Sequence, residues 1–272
     1  MSVLLDHPIQ ALSEYVGHAS VSADSAFEDG VKGARGFAQA RLEELGFSVD
    51  LIETPINPVI LATRGDPSWP KLVIYGHYDV QPPDPLDLWS SDPFTAVERE
   101  GRLYGRGAAD NKGPQIVHMA ALHRVLKQNP DLPLHITYLI EGEEEIGSPS
   151  FRGFLETHQD RLRGDMLLVS DTGSPGPNQL VVTTGLRGLT ALEVKVHGPR
   201  QDLHSGVHGG ALMNPLQALM RACSELHDAD GKVAVPGFYD AVRPPEPWER
   251  VELSKLPITE EEYAQFLGVP SF

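Results

Sequence analysis

Hydrophobic and polar positions follow two different periods along the first part of the chain. Short apolar runs predict strands, and amphipathic stretches between them predict helices. The predicted strands are Phe47–Ile52, Val59–Thr63, Lys71–Tyr75, Leu134–Ile140 and Met166–Val169. The predicted helices are Val31–Leu45, Gly113–Leu126 and a helix that Ser148 or Ser150 begins and that runs through Thr157. Strands that alternate with helices are typical of βαβ units, so we expect an α/β domain with a doubly wound, largely parallel sheet.

The pattern changes at two places. Gln81–Gly107 is rich in proline, aspartate and turn residues, and its two short alternating pieces predict an excursion or hairpin. A domain boundary is expected near Gly185–Gly188, because the following segment, Leu189–Val196, alternates as a half-exposed strand does. Asn214–Leu226 has helical spacing, and the segment from Ile258 onward reads as a helix with an apolar tail. This second part shows no element that closes a domain.

Composition narrows the possible functions. The net charge is −16, with 38 acidic against 22 basic residues, and this balance disfavours binding to nucleic acid. Most of these carboxylates are expected on a solvated surface. The single cysteine, Cys223, excludes a disulfide within the chain, makes a cysteine-based zinc site improbable and fits a reducing compartment. The first residues lack a basic signal region, and no apolar run reaches about 18 residues, so we expect a cytoplasmic protein without membrane contact.

Four predicted strand ends carry side chains that can bind a metal ion. His77 and Asp79 follow the third strand and share a face, because residues i and i+2 of an extended segment point the same way. Asp110 lies between a glycine-rich turn and a helix. The acidic run EGEEE, Glu141–Glu145, follows an apolar strand, and Asp171 follows another. Carboxylates directly after buried strands are costly unless cations neutralise them.

Each of these signals has a simpler explanation when it is taken singly. The histidine and its neighbour could be a surface pair, Asp110 a helix cap, the acidic run a solvated loop and Asp171 the start of a turn. Taken together they are much stronger, because parallel strands end at one edge of the sheet. Mixed nitrogen and oxygen ligands suit Zn²⁺, Mn²⁺ or Co²⁺.

The segments GHYDVQP, GRGAADNKGP, EGEEEIGS and the SD of LLVSD, in this order, resemble the M20 metallopeptidases. That family includes dipeptidases of the carnosinase type, aminoacylases and related deacylases. The resemblance covers roughly Leu72 to Gly210. It implies a metal-dependent hydrolase of amide bonds with a catalytic domain at 1–186 and a partial α+β lid, or dimerisation, domain at 187–272, and it implies a homodimer.

The resemblance also implies a set of metal ligands for two divalent cations, most often Zn²⁺. His77 and Asp171 would bind the first cation, Asp110 would bridge both, and Glu145 would bind the second. Asp79 would orient His77, since a metal-bound imidazole commonly donates its other N–H to a carboxylate. The family often has a cis peptide directly after the bridging aspartate.

Catalytic roles carry over in the same way. Aligned on Gly147-Ser148, Glu144 would be the general base and Glu143 an additional acid. His204, in the segment HSGVHGG, would stabilise the oxyanion in a partner subunit, although a glycine-rich turn with a surface histidine is an equal alternative. A phosphate-loop interpretation of GRGAADNKG fails, because the spacing of the glycines and the lysine is wrong.

One feature of the family has no match in this sequence. The last ligand of the second cation is a histidine near the end of a much longer chain, so we expect the second metal site to be incomplete here and the chain to represent an N-terminal part. Whether this part is active stays open. The amino-acid sequence of the segment GHYDVQP favours a dipeptidase or related exopeptidase. An N-acyl-amino-acid amidohydrolase is the alternative, and a module that only binds or oligomerises is the third.

Overall fold

A computed structural model describes residues 3–174, 181–186, 188–256 and 258–271. It divides into two compact units, Met1–Thr172 and Gly173–Phe272. The predicted boundary at Gly185–Gly188 includes Arg187, which lies outside the described residues, and the division into domains at 186/187 stays a prediction. In the part of the chain described above, no helix combines the length and the apolar character needed to cross a membrane.

The first unit contains all seven strands of the described residues and four α-helices. The strands are β1 (Ser48–Ile52), β2 (Val59–Arg64), β3 (Lys71–His77), β4 (Val97–Arg99), β5 (Arg102–Tyr104), β6 (His135–Glu141) and β7 (Met166–Val169). The helices are α1 (Pro8–Val16), α2 (Glu28–Glu44), α3 (Lys112–Gln128) and α4 (Phe151–Leu162). Short 3-10 helices occur at Leu4–Asp6, Ser25–Phe27, Leu86–Leu88 and Glu144–Ile146.

Five strands form the central sheet, in the order β1-β2-β6-β3-β7. The pairs β6–β3 and β3–β7 are parallel, whereas β1–β2 and β2–β6 are antiparallel. The α/β class is confirmed, but the sheet is mixed rather than largely parallel, because β1 and β2 join it through antiparallel pairs. The parallel strands are those whose carboxyl ends lead into the candidate site. β4 and β5 form the separate hairpin that the pattern of Gln81–Gly107 predicts.

Helices cover both faces of the sheet. On one face, Ile60 and Ala62 of β2 belong to a buried apolar cluster together with side chains of α1, α2 and α3. On the other face, Val59 and Leu61 pack with Phe154 of α4. Successive residues of β2 thus point to opposite layers, and this double burial explains why β2 reads as an apolar run without alternation.

Every strand and helix predicted for the first unit is present and differs at most at its ends, whereas α1 was not predicted. β3 extends two residues beyond the predicted Tyr75, because the ladder with β6 continues as far as the pair His77 and Glu141. α2 begins at Glu28 and not at Val31, with two acids, Glu28 and Asp29, in its first turn. Acidic side chains there stabilise a helix through its dipole.

The second unit contains α5 (Ser205–His208), α6 (Pro215–Ser224), α7 (Pro247–Leu253) and α8 (Glu260–Leu267). α6 and α8 confirm the helices predicted after Asn214 and after Ile258. The strand predicted at Leu189–Val196 is wrong, because this segment carries no regular secondary structure. Alternation suits a strand only where a neighbour can accept its backbone hydrogen bonds, and no described strand of this unit lies beside it.

Candidate metal centre

His77 ends β3 and lies at the carboxyl edge of the sheet. Its ring is completely buried. The preceding glycine lets α3 approach closely, since a Cβ at Gly76 would lie 2.8 Å from Oδ1 of Asn111 and 2.9 Å from Cγ of Gln115. Gln115 of α3 in turn donates a hydrogen bond to the carbonyl oxygen of His77. The start of α3 is therefore packed directly against the strand that carries the histidine.

Two groups of ligand atoms meet at His77. In one group are His77, Asp110 and Asp171, and in the other are His77, Glu144 and Glu145; within each group the ligand atoms lie within 4.8 Å of one another. Nε2 of His77 is 3.0 Å from Oδ1 of Asp110 and 3.8 Å from Oδ2 of Asp171. The structure thus brings together all four residues that the sequence analysis named as metal ligands.

Asp79 faces the other nitrogen of the same ring. Nδ1 of His77 lies 3.1 Å from the carbonyl oxygen of Asp79 and 3.3 Å from its Oδ1. Asp79 is completely buried, like the histidine. The predicted pairing of the two side chains is present, and it leaves Nε2 directed toward Asp110 and Asp171.

Asp110 and Asp171 are held at the edge by the turn that precedes α3. The Asp110–Asn111 peptide bond is cis, as the family resemblance implies. Asp110 does not cap the helix: Asn111 is the residue before the first turn, and no side chain provides a cap hydrogen bond there. The Nδ2 group of Asn111 donates to the carbonyl oxygen of Ser170 and to Oδ1 of Asp171, each at 3.0 Å.

The acidic run after β6 divides between the interior and the site. Glu141 and Glu143 are buried, with 1 % and 2 % of their surface exposed, whereas Glu144 and Glu145 are partly exposed. Oε1 of Glu141 accepts hydrogen bonds from Tyr75 and from Ser148.

Glu143, expected as an additional acid of the site, is bonded to the protein interior instead. Its Oε1 accepts from the hydroxyl of Thr54 at 2.8 Å and from the backbone N–H of Asn57 at 3.0 Å. Its Oε2 accepts from the N–H of Ser150 at 2.9 Å. Both carboxylate oxygens are thereby occupied, and Glu143 ties the turn to the loop after β1.

The electrostatics of the cluster favour a positive charge at its centre. Burial alone would lower the pKa of His77, but the nearby carboxylates of Asp110, Asp171 and Asp79 raise it to about 12. The nearby ring of His77 lowers the pKa of Asp171. Burial raises the pKa of Glu144, and neighbouring carboxylates add to this effect. Burial likewise raises the pKa of Glu145, although the hydrogen bond from Gln81 opposes it.

These donors fit divalent cations. One imidazole nitrogen and carboxylate oxygens are the ligands found in catalytic zinc sites, and a carboxylate such as that of Asp110 has two oxygens with which to bridge. The side chain of Asp110 is 64 % exposed, so this candidate ligand lies on the open side of the centre, while His77 lies at its buried base.

His204 belongs to the second unit, where it precedes α5. Its Nδ1 accepts a hydrogen bond from the N–H of Gly206 at 3.0 Å. A ring nitrogen that accepts carries no proton, so in the neutral ring the proton lies on Nε2. An exposed Nε2–H is the kind of donor that can bind an oxyanion.

Three residues that hold the candidate ligands or Asp79 were missed by the sequence analysis. Asn111 bonds Asp171, Ser22 bonds Asp79, and Gln81 bonds Glu145 through its backbone N–H at 3.2 Å and its Nε2 at 2.8 Å. Asn111 and Gln81 lie inside the segments GRGAADNKGP and GHYDVQP. Because their side-chain amides are close in sequence to candidate ligands, their role in holding the site could have been predicted. Ser22 lies 57 positions from its partner, and no pattern in the sequence marked it.

A fourth, Lys112, is completely buried at the start of α3. Its Nζ donates to the carbonyl oxygens of Tyr15 at 3.1 Å and His18 at 2.7 Å. Burial lowers the pKa of Lys112 to about 7, although the charge of Asp79 opposes this effect. The ammonium group joins the end of α1 to the segment that carries Asp110.

Comparison with known proteins agrees with this geometry. The family model of peptidase family M20/M25/M40 matches residues 73–262. The chain belongs to this family. The matched range includes all four candidate ligands, together with Asp79, Glu144 and His204.

Relatives of this M20 chain include named dipeptidases. The chain is 33 % identical to the Cys-Gly metallodipeptidase of Schizosaccharomyces pombe, over 97 % of this chain and 58 % of that protein. It is 35 % identical to the human Beta-Ala-His dipeptidase, over 97 % of this chain and 53 % of that protein. The chain therefore spans little more than half the length of these relatives.

A solved structure has the same fold. The M20 family metallo-carboxypeptidase of Sulfolobus solfataricus superposes with a TM-score of 0.82 at 32 % identity, over 98 % of this chain and 60 % of that one. The agreement supports the arrangement of strands and ligand-bearing loops described above.

Proposed function

We propose that this chain forms the catalytic centre of a metal-dependent dipeptidase. The observation that carries the proposal is the meeting of two groups of ligand atoms at one buried histidine, His77, with Glu144 in one of the groups. Family membership and the named dipeptidases among the relatives support it.

Two divalent cations, with Zn²⁺ as the first candidate and Mn²⁺ or Co²⁺ as alternatives, are proposed to occupy the centre. His77 and Asp171 would hold the first, Glu145 would hold the second, and Asp110 would contribute to both. In the 272 residues, no histidine matches the last ligand that the family resemblance implies, so the second cation is expected to bind more weakly than the first.

The cations, when bound, would lower the pKa of a water molecule and polarise the scissile carbonyl. Glu144 takes the proton from the attacking water and later delivers it to the leaving amine. A raised pKa suits this role, because a general base is most effective when its pKa lies near the working pH. Asp79 keeps the proton of His77 on Nδ1, so that Nε2 presents its lone pair.

His204 is proposed to donate Nε2–H to the developing oxyanion of a substrate bound in a partner subunit, which requires a homodimer. The hydrogen bond from Gly206 to Nδ1 supports this tautomer. One well-placed oxyanion donor contributes about 3–4 kcal/mol to transition-state stabilisation. Size-exclusion chromatography with light scattering tests the dimer, and a monomer at micromolar concentration would contradict it.

The substrate is proposed to be a small dipeptide. A hydrolysis panel tests this with Cys-Gly and β-Ala-His, an N-acetyl amino acid and a longer peptide with a free C-terminus. Preference for the N-acetyl amino acid would support the alternative amidohydrolase, and preference for the longer peptide would support a carboxypeptidase, as the Sulfolobus relative is named. Cleavage of none of the four, with cations bound, would leave a binding or oligomerisation module.

Metal content gives the most direct test of the centre. The chain, stripped with a chelator and titrated with Zn²⁺, is expected to take up one cation tightly and a second weakly. A variant with His77→Ala should lose the tight site, because His77 is a proposed ligand of the first cation. Zinc binding unchanged in this variant would refute the centre.

The exposed free Cys223 supports a cytoplasmic, reducing location.

A further inference from the structure

The segment that follows α1 runs beside the residues that follow β3. Val21 and Val80 form a parallel bridge, and the N–H of Val80 donates to the carbonyl oxygen of Ser20 at 2.9 Å. The hydroxyl of Ser20 donates to the carbonyl oxygen of Tyr78 at 2.6 Å. Residues 20–22 therefore run parallel to the polypeptide that carries Asp79 and are joined to it by one isolated bridge and these hydrogen bonds.

Ser22 lies at the point where this segment passes Asp79. Its hydroxyl donates to Oδ2 of Asp79 at 2.7 Å. The same oxygen accepts the backbone N–H of Glu145 at 3.1 Å. Among the described residues no donor makes a well-aligned hydrogen bond to the other oxygen, Oδ1, which lies 3.3 Å from Nδ1 of His77.

We propose that Ser22 is a positioning residue of the metal centre, which orients the carboxylate of Asp79 so that Oδ1 faces Nδ1 of His77. The inference deepens the proposed function, because it concerns the same cations. The hydroxyl of Ser22 bonds Asp79 and none of the four proposed ligands, so it acts through Asp79.

The geometry explains why one hydroxyl has this effect. A carboxylate rotates about its last side-chain bond, and that torsion is soft. Two donors on Oδ2, from Ser22 and Glu145, fix the plane of the group and so the direction of Oδ1. Groups that orient a ligating histidine typically change metal affinity by about 10–100-fold when they are removed. Ser22 acts one bond further out, so the lower end of this range is expected.

Ser20 offers a matched control, because it is on the same segment and its hydroxyl is also hydrogen-bonded, but to a backbone carbonyl. The test compares Ser22→Ala, Ser22→Thr and Ser20→Ala in the 272-residue chain. Zinc affinity is measured by calorimetry in competition with a chelator, and the free energy of unfolding is measured with urea in excess chelator.

Ser22→Ala is expected to weaken the tighter zinc site about 10-fold, whereas Ser22→Thr, which keeps the hydroxyl, should restore the wild-type affinity. Ser20→Ala should lower the free energy of unfolding and leave the zinc affinity unchanged. Equal affinities in Ser22→Ala and the wild type would overturn the inference. So would a loss in Ser20→Ala as large as that in Ser22→Ala, because the segment and not the hydroxyl would then be responsible.

A crystal structure of the Ser22→Ala variant separates this inference from the proposed function. The distance from Oδ1 of Asp79 to Nδ1 of His77 should exceed the 3.3 Å of the wild type. If the wild type itself bound no zinc, the proposed function would fail, and this distance alone would decide the role of Ser22. An unmoved Asp79 carboxylate would overturn the positioning role.

Discussion

The turn after β6 has an inner and an outer side, and both carry glutamates that differ in burial and in the groups around them. On the inner side, Glu143 is buried and accepts three hydrogen bonds from Thr54, Asn57 and Ser150. On the outer side, Glu144 and Glu145 are partly exposed and share a centre with His77. Identical carboxylates thus serve the fold or the chemistry according to the donors around them. Each of the following changes tests that division.

The largest effect is expected for Glu144→Gln. In a form of the protein that hydrolyses a dipeptide, the variant should lose about 10²–10⁴-fold in kcat, because an amide cannot accept the proton of the attacking water. Its zinc content should equal that of the wild type. Both quantities are measured on the same preparation, by steady-state hydrolysis and by elemental analysis. A Glu144→Gln variant with ordinary turnover would remove Glu144 from the mechanism.

The second effect concerns the inner side of the turn. Glu143→Ala should lower the free energy of unfolding by about 3 kcal/mol, because each buried donor left without a partner costs about 1–3 kcal/mol and relaxation recovers part of the sum. Urea unfolding in excess chelator measures this change without a contribution from metal binding. A loss below about 1 kcal/mol, the net value of a single ordinary hydrogen bond, would place Glu143 on the outer side instead.

Glu145→Gln should show the opposite behaviour. Its weaker zinc site should lose at least about 10-fold in affinity, since a ligand is expected to matter no less than the groups that orient one. In chelator, at pH 7, the variant should be more stable than the wild type, because burial raises the pKa of Glu145 and the folded state therefore disfavours its charge.

The effect of Glu145→Gln on the free energy of unfolding should depend on pH. A raised folded pKa means that the favourable contribution of Glu145 is present below the unfolded value of 4.5 and is lost as the pH rises. The stability gained in Glu145→Gln should therefore vanish in acid and grow toward neutral pH. Urea unfolding at several pH values checks the trend, and a gap that widens in acid would contradict it.

The smallest effect is expected for Thr54→Val, which removes one donor to Glu143 and keeps the shape of the side chain. The free energy of unfolding should fall by about 1 kcal/mol. In the background of Glu143→Ala, the same substitution should cost less, because the hydroxyl then has only the carbonyl oxygen of Asn57 as its acceptor, at 2.8 Å. Additive losses in the double variant would show that the Thr54–Glu143 bond does not stabilise the turn.

Much of the first unit could be predicted from the sequence, because its strands and ligands follow local rules. Apolar runs mark the strands, of which β2 and β6 are buried on both faces whereas β7 is exposed. His77 and Asp79 are related by the two-residue period of extended chain. The ends of parallel strands must meet, so Asp110 and Asp171 could be assigned to one site without coordinates.

What escaped prediction depends on contacts between remote segments. The division of the acidic run required knowing that Thr54 and Asn57 lie beneath it, more than 80 positions earlier in the chain. Ser22 is likewise defined by a partner outside its own segment. The strand expected at Leu189–Val196 is absent because a strand needs a neighbouring strand for its backbone hydrogen bonds. The alternation within one segment does not show whether such a neighbour exists.

The close approach at Gly142 restricts how this centre can change. A methyl group at Gly142 would overlap the ring of Tyr78, whose N–H bonds the carbonyl oxygen of Glu141 and whose hydroxyl bonds that of Pro58. Even the smallest side chain at Gly142 would push β3 and β6 apart at the ends where Tyr78 and Gly142 follow them. Mutant libraries that seek new substrate preferences should therefore keep glycine at this position and vary residues that lie away from the contact between Gly142 and Tyr78.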